Sequence, residues 1–572
     1  MDLDDDKDRV TSYVYSGVDQ VIRMAAHLPD GSGDQAQVTE YTYGVAAAAG
    51  SPDVDDSLVF DNRLLRKVTY PDESAGTPGI GGSYEVSYSY NALGELRSVT
   101  DQNGTLHAYE RDGIGRVIAD RVEVFGNMDL DDTVQRIEID FDTFGRVSKV
   151  ESLDDEDLGV GSVVNGVTYE YTPLWQVSKM HQDLDGVASI NGTGGTETVE
   201  YAYTTSEFDD DAMSLASHNL TRLDDLVYPS DSAGSPTVTV RYGGTSSADN
   251  FASRPIGFDF DGTPSVLYEH VGWGRIAEVD YAVPDVQLDR TFSHEGKRNT
   301  QFYSSQAAGV YPGWDRFGRV RVQAWVDGDL EEKRSGQVSD PNADVPGIPP
   351  IIEELQTYDR TSNRTGKIDA RPGAKRPNRD YDLAYDDLDR LTSTKRGSWG
   401  DAYTQTTWTQ TATAIGNSEA WSYDVLGNWD ELLTDGNFND DFADTGSGAG
   451  YVDLAETRNH NMANELEDID ENQGAGGVDL SYLYDDSGNR TKKTYVSGVG
   501  YDTFIYDAWN RLVKITRTDD EEVTTDVSVY TYNGQHFRIT EASGGQTREM
   551  YYSTGWQLLE EHIDEPGETP DR

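Results

Sequence analysis

What most constrains this chain is a short phrase that it repeats. In Tyr506-Asp507-Ala508-Trp509-Asn510-Arg511-Leu512 an aromatic residue is followed by Asp, two variable residues, Asn or Gly, Arg and an apolar residue. Upstream, Thr503-Phe504-Ile505 is β-branched and aromatic, which suits a strand. Asp is favoured at the first position of a turn because its carboxylate bonds the backbone two residues on, and Asn or Gly at the last because the chain there needs a positive φ. The phrase therefore predicts a β-hairpin with its turn at residues 507–510. It returns at Tyr484-Asp485, Tyr423-Asp424, Tyr385-Asp386 and Tyr358-Asp359, and more loosely at Tyr90-Asn91, Phe141-Asp142 and Trp314-Asp315. Eight copies in 572 residues make a repeat architecture, which grows by stacking like units and needs no single central core.

Composition agrees with many short strands and turns. There are 34 Tyr and 57 Gly, hydrophobic residues make up 36 %, and no long stretch holds a helical period. The predicted fold class is all-β, with antiparallel hairpins stacked in sequence order. Asp424, Asp485 and Asp507 are expected at turns with their side chains bonded to backbone N–H groups, and Tyr423, Tyr484 and Tyr506 buried between neighbouring hairpins.

Along the chain, residues 1–340 hold degenerate copies and 357–560 regular ones, with an acidic tail at 561–572. Four prolines within 341–350 disfavour a helix or a central strand, so 341–356 reads as a loop or boundary. A longer repeat also shows. Val68-Thr69-Tyr70-Pro71 with Ser74-Ala75-Gly76 echoes Leu226-Val227-Tyr228-Pro229 with Ser232-Ala233-Gly234. Tyr109-Glu110 echoes Tyr268-Glu269 at a similar offset of about 159 residues. Residues 431–478 interrupt the regular copies, and Ala455 to Glu467 is expected to hold one short helix.

The Tyr-Asp phrase resembles the Rhs or YD-repeat family, which includes bacterial Rhs proteins, the shell subunits of insecticidal Tc toxins and animal teneurins. The resemblance is close from Tyr358 to about Tyr552. It implies hairpins spiralling into a large hollow shell or partial barrel, which in the toxins encloses a C-terminal cargo. Relatives continue into a core segment with an Arg-Tyr-Tyr-Asp-Pro-like signature, which in the toxins also carries an aspartyl autoprotease. No stretch here matches it, so those protease residues are not carried over. A fragment lacking the core segment is the expectation, with exposed strand edges near Thr531-Tyr532 or Met550-Tyr552 and an open curved sheet or partial barrel rather than a sealed container.

Chemistry is sparse. With 46 basic against 104 acidic residues the formal charge is −58, which argues against nucleic acid as a partner. The acidic residues read as a solvated surface or as scattered Ca²⁺ sites. Asp183-Leu184-Asp185-Gly186 and Asn127-Met128-Asp129-Leu130-Asp131-Asp132 suggest the latter, but neither completes an EF-hand loop. There is no cysteine, no apolar run reaches the ~18 residues of a membrane span, and the N-terminus lacks the parts of a signal peptide. No zinc-protease, nucleophile-elbow or phosphate-loop motif occurs. His270 beside Glu269 reads as a strand residue, and acid runs such as Asp154-Asp155-Glu156 as solvated loop. Catalytic, cofactor and metal residues are therefore expected to be none, and the chain to be no enzyme. Two functions remain open. One is a shell segment, extracellular or at the cell surface, that encapsulates or displays a C-terminal cargo or core segment. The other is an adhesion module that binds carbohydrate or a surface protein.

Overall fold

The computed structural model describes residues 10–27, 36–203, 222–289, 317–327, 350–369, 380–399, 412–435, 454–471 and 478–564, apart from short gaps within these ranges, and two residue pairs at 403–404 and 407–408. Among the described residues every long element is a strand. Thirty-six strands among the described residues form one sheet, and each strand between the first and the last pairs antiparallel with its neighbours in chain order, the two short strands at 403–404 and 407–408 pairing apart with each other. Such a meander is the simplest topology a train of hairpins can adopt, because each unit needs only its sequence neighbours to satisfy its backbone.

The hairpins alternate between two kinds of connection, so the sheet has two unlike rims. On one rim lie the repeated turns, at 91–95, 112–116, 142–146, 172–176, 386–390, 424–428, 461–465, 485–489, 507–511, 533–537 and 553–557. On the far rim lie the other connections, such as 101–105, 154–162 and 519–523. At the turn rim the register slips by one residue just before the aromatic position, as between Ile505 and Tyr506, Thr531 and Tyr532, and Glu170 and Tyr171. The slip is a β-bulge, and the fourth turn residue takes the left-handed conformation that closes it, at Gly145 (φ 86°), Gly488 (φ 83°) and Asn510 (φ 59°).

The sheet winds far enough to meet itself. Five consecutive C-terminal turns rest on five consecutive far-rim connections, or the strand ends beside them, of the N-terminal part. Met462 N donates to Glu73 O (2.8 Å), and Asn103 Nδ2 donates to Asp485 Oδ2 (3.1 Å). Asp131 N donates to Tyr506 O (2.8 Å), Asn165 Nδ2 to Tyr532 O (2.9 Å), and Thr554 N to Tyr201 Oη (2.7 Å). Apolar packing follows the same line. Trp509 joins Val134, Ile137 and Val150, and Leu559 joins Val167, Met180, Val199 and Tyr201.

Two expectations are corrected. Ala455–Glu467 is no helix. It is the strand Leu454–His460, a turn, and the start of the strand Leu466–Asp470, because Asn461 takes over the work of Asp and its Oδ1 accepts from the N–H groups of Ala463 (2.9 Å) and Glu465 (3.0 Å). The strands containing Thr531-Tyr532 and Met550-Tyr552 are not edges, since each pairs on both sides. Of an open curved sheet or a partial barrel, the contact of the C-terminal turns with the N-terminal strands agrees with the second. Of the expected boundary, 341–349 lies outside the described residues, while Pro350–Tyr358 is a strand with Pro at its first position, where a missing N–H costs least. Leu558–Asp564 is likewise a strand, and 565–572 lies outside the described residues. The two halves of the long echo, at Asp61–Thr69 and Leu223–Val227 and at Leu106–Arg111 and Thr263–Val271, lie ten strands apart in both cases.

One glycine tests the closure. A Cβ on Gly534 would lie 2.7 Å from Val150 Cγ1 and 3.1 Å from Ile137 Cγ2, across the line where the windings meet. Gly534→Leu is expected to cost roughly 1–3 kcal/mol through overpacking and to lift the 533–537 turn. Hydrogen exchange should then rise at both 533–537 and 137–152 while neighbouring hairpins keep their protection. Unchanged exchange at 137–152 would show that the two windings do not bear on each other there.

Candidate functional site

The repeated turn and the seam it forms are where this chain concentrates its polar side chains. In the 507–511 turn the Asp507 carboxylate is buried. Its Oδ1 accepts from the N–H groups of Trp509 and Arg511 (both 3.0 Å), and its Oδ2 accepts from Arg511 Nε (2.6 Å). Asp485 and Asp424 repeat this with Asn in place of Arg. Asp485 accepts from Ser487 N (3.0 Å), Asn489 N (2.8 Å) and Asn489 Nδ2 (2.9 Å), and Asp424 from Asn428 N (2.7 Å) and Nδ2 (2.8 Å). All three aspartates thus act as the sequence predicts. Asp112, Asp142 and Asp386 show the electrostatic result. Partial burial pushes each carboxyl up, but the N–H groups and guanidinium of the turn outweigh it and hold it below the usual carboxylate range.

The arginine reaches beyond its own hairpin. Arg511 Nη1 donates to Asn533 O (3.1 Å) in the next turn, and its guanidinium lies 5.1 Å from the ring centre of Tyr532, the next aromatic. Arg319 treats Asp359 O (2.8 Å) and Tyr358 (4.7 Å) alike, and Arg146 and Arg390 lie over Tyr171 (4.2 Å) and Tyr423 (4.6 Å). Such stacking adds a charge–quadrupole attraction to the packing. Where Asn stands in for Arg it bonds the next turn's left-handed residue, as from Asn489 Nδ2 to Asn510 Oδ1 (2.7 Å).

The tyrosine closes the link in the other direction. Each phenol donates to the carbonyl five residues after the first turn residue of the preceding hairpin: Tyr506 to Arg490 O (3.0 Å), Tyr532 to Leu512 O (2.9 Å), Tyr385 to Arg364 O (2.9 Å) and Tyr171 to Val147 O (2.6 Å). Tyr423 does the same with Leu391 O. Tyr423, Tyr484 and Tyr506 are half-buried, so each ring packs between hairpins while an edge stays near solvent. Tyr506→Ala is expected to cost about 2–4 kcal/mol, through lost packing and an unpaired carbonyl, whereas Tyr506→Phe should cost about 1 kcal/mol. Urea denaturation measures both. Equal losses would mean that the ring contributes no packing.

At the seam a histidine is held between windings. His107 Nδ1 lies 2.8 Å from Asp120 Oδ1 and Nε2 2.9 Å from Ala508 O, and Trp509 Nε1 donates to Asp120 Oδ2 (2.9 Å). Both partners of the ring only accept, so both ring nitrogens carry protons. Burial pushes His107 down, but the Asp120 bond and charge, the Ala508 carbonyl and the charge of Asp101 outweigh it and hold it above the ordinary imidazole value. Across the seam His536 is pushed down by burial and by the Arg511 charge, and it feels Asp120, Asp507 and His107 as well. A raised histidine contributes its stability fully below its unfolded value and loses it as pH rises through the folded value. The seam should therefore loosen from about pH 6.5 upward, a window well separated from acid loss of the turn carboxylates below about pH 4. Hydrogen exchange in 107–122 and 506–511, corrected for intrinsic rate, is expected to rise between pH 6 and 9 in the natural chain and to be flat in His107→Gln. A flat natural profile would mean the ring is not doubly protonated.

The other polar candidates have structural partners. Asp183 accepts from Thr196 Oγ1 (2.7 Å). His270 packs edge-on to Tyr268, and burial pushes its imidazole down. The carbonyls of the 154–162 loop cradle the buried Arg136, with Val160 O accepting from its Nη2 (2.9 Å), an arrangement the acid run alone did not reveal. Among the described residues no group of three or more His, Cys, Asp or Glu is placed to hold a metal, and no helix is long and apolar enough to cross a membrane.

No protein-family model and no curated protein matches the sequence. Solved structures do. The crystal structure of TcdB2-TccC3-TEV and the Photorhabdus luminescens Tc holotoxin pore with the TccC3-D651A mutation each align over 97 % of this chain and 24 % of theirs, at 13 % identity and a TM-score of 0.49. The crystal structure of TcdB2-TccC3 aligns over 97 % of this chain and 28 % of its own, at 12 % identity and a TM-score of 0.40. The chain thus spans about a quarter of the length of the structures it matches.

Proposed function

We propose that this chain is a structural segment of a hairpin-built shell, which encloses or displays a polypeptide joined to its C-terminal side and performs no chemistry of its own. One observation carries the reading: five successive turns of the C-terminal hairpins sit on the N-terminal strands, so the sheet is wound about an interior instead of lying flat. The polar side chains of the repeat are consumed in holding hairpin to hairpin, which is what a wall requires and what a catalytic cleft does not. An extracellular or cell-surface setting accompanies the reading.

The test is protection of a cargo. An unfolded, protease-sensitive polypeptide fused after Arg572 is expected to resist a protease that digests the same polypeptide alone, and to lose most of that resistance in Gly534→Leu. Digestion of the fusion at the rate of the free polypeptide would overturn the enclosing role.

A further inference from the structure

The two rims of the sheet are not equally satisfied. In three of the C-terminal hairpins an inner turn residue is seated, while Trp556 in the last turn is 71 % exposed. Gln37 Nε2 donates to Met462 O (2.7 Å), Trp509 reaches Asp120, and Gln535 Oε1 accepts from Tyr169 Oη (2.8 Å). In four consecutive N-terminal hairpins the matching positions carry large apolar side chains that face solvent: Leu93 (82 % exposed), Ile114 (78 %), Phe144 (64 %) and, one residue on, Trp175 (60 %). Hairpins in one sheet repeat about every 9.6 Å, so these residues form a row, and Phe144 and Trp175 already touch, with ring centres 6.2 Å apart. A contiguous exposed apolar row on an otherwise strongly acidic chain marks an interaction surface.

The seam shows what fits such a row. Among the described residues the five C-terminal turns bear on the N-terminal part of another winding. On the far rim of the last winding Val496 and Val523 are exposed, Val523 closing the acidic 519–523 connection. We propose that the turn rim at Leu93, Ile114, Phe144 and Trp175 is an assembly surface whose occupant is the far rim of a second copy of this chain, around Val496 and Val523. This contact continues the intramolecular seam from one molecule to the next. Because the two surfaces differ and lie on different windings, the contact is head-to-tail and leaves a free surface of each kind at the ends of the assembly. The proposal goes beyond the enclosing role, and its failure leaves that role untouched.

The charge of −58 opposes self-association, and salt screens that repulsion. Sedimentation velocity at rising protein concentration should therefore show larger species in 0.5 M NaCl than in 0.05 M NaCl. Two variants separate the surfaces: Leu93→Lys/Ile114→Lys/Phe144→Lys on the turn rim and Val496→Lys/Val523→Lys on the far rim. These positions are exposed, so thermal melts should match the natural chain and show that both variants fold. Each variant alone is expected to stay monomeric, with association weakened at least about tenfold. Mixed together they should form a dimer and nothing larger, since each retains the surface the other lacks. A natural chain that stays monomeric in 0.5 M NaCl up to about 100 μM, well above the micromolar range of specific association, overturns the proposal. So does a far-rim variant that still self-associates, because the contact would then join like surfaces.

Discussion

The structure depends on a guanidinium shared between two hairpins. A lone two-stranded hairpin is marginal in water, and stacking hairpins edge to edge supplies backbone bonds without fixing the angle between units. The repeated arginine fixes it. Arg511 is held by Asp507 in its own turn, bonds a carbonyl of the next turn and covers the next tyrosine ring, while that tyrosine bonds back to the hairpin from which the arginine came. Each link therefore constrains position and tilt together. Where one part is missing, another covers it: Phe141 lacks a hydroxyl, yet Arg116 lies 4.0 Å from its ring centre.

Much of this was legible because it is local. The aspartate, the left-handed residue and the arginine lie within five residues of each other, and a carboxylate that caps a turn does so whatever lies beyond it. The misreading at Ala455–Glu467 came from the same source. His460-Asn461 lacks the Tyr-Asp signature, and Ala, Glu and Leu favour a helix when read alone, but Asn461 forms the same turn and the strands on either side supply the partners that an isolated helix would lack. The tyrosine link was half legible: the ring's role followed from its amphipathic character, but its acceptor is a main-chain carbonyl of the previous hairpin, to which sequence identity is blind.

The seam was not legible at all. His107 and Ala508 are four hundred residues apart in sequence, and nothing in either neighbourhood announces the other. Its character also differs from that of an ordinary core. Asn103 and Asn165 are buried there and bond Asp485 and the Tyr532 carbonyl across it, so the windings are joined as much by directional bonds as by area. Directional bonds fix where two surfaces meet, which matters more for a long sheet bearing on itself than added adhesion would.

The one-to-one match of five turns with five connections makes the seam a counting device. Sliding one winding past the other by a single hairpin would bring Trp509 to a site without the His107–Asp120 pair, and would put the side chain of Ala508 or Thr554 where only the bare Gly534 fits between Val150 and Ile137. Every turn would miss at once. The number of hairpins between the two halves is therefore fixed by the seam as firmly as the pitch of a thread is fixed by its nut. Strands can therefore be gained or lost only by whole windings, which ties the height of the structure, and not its girth, to the length of its gene.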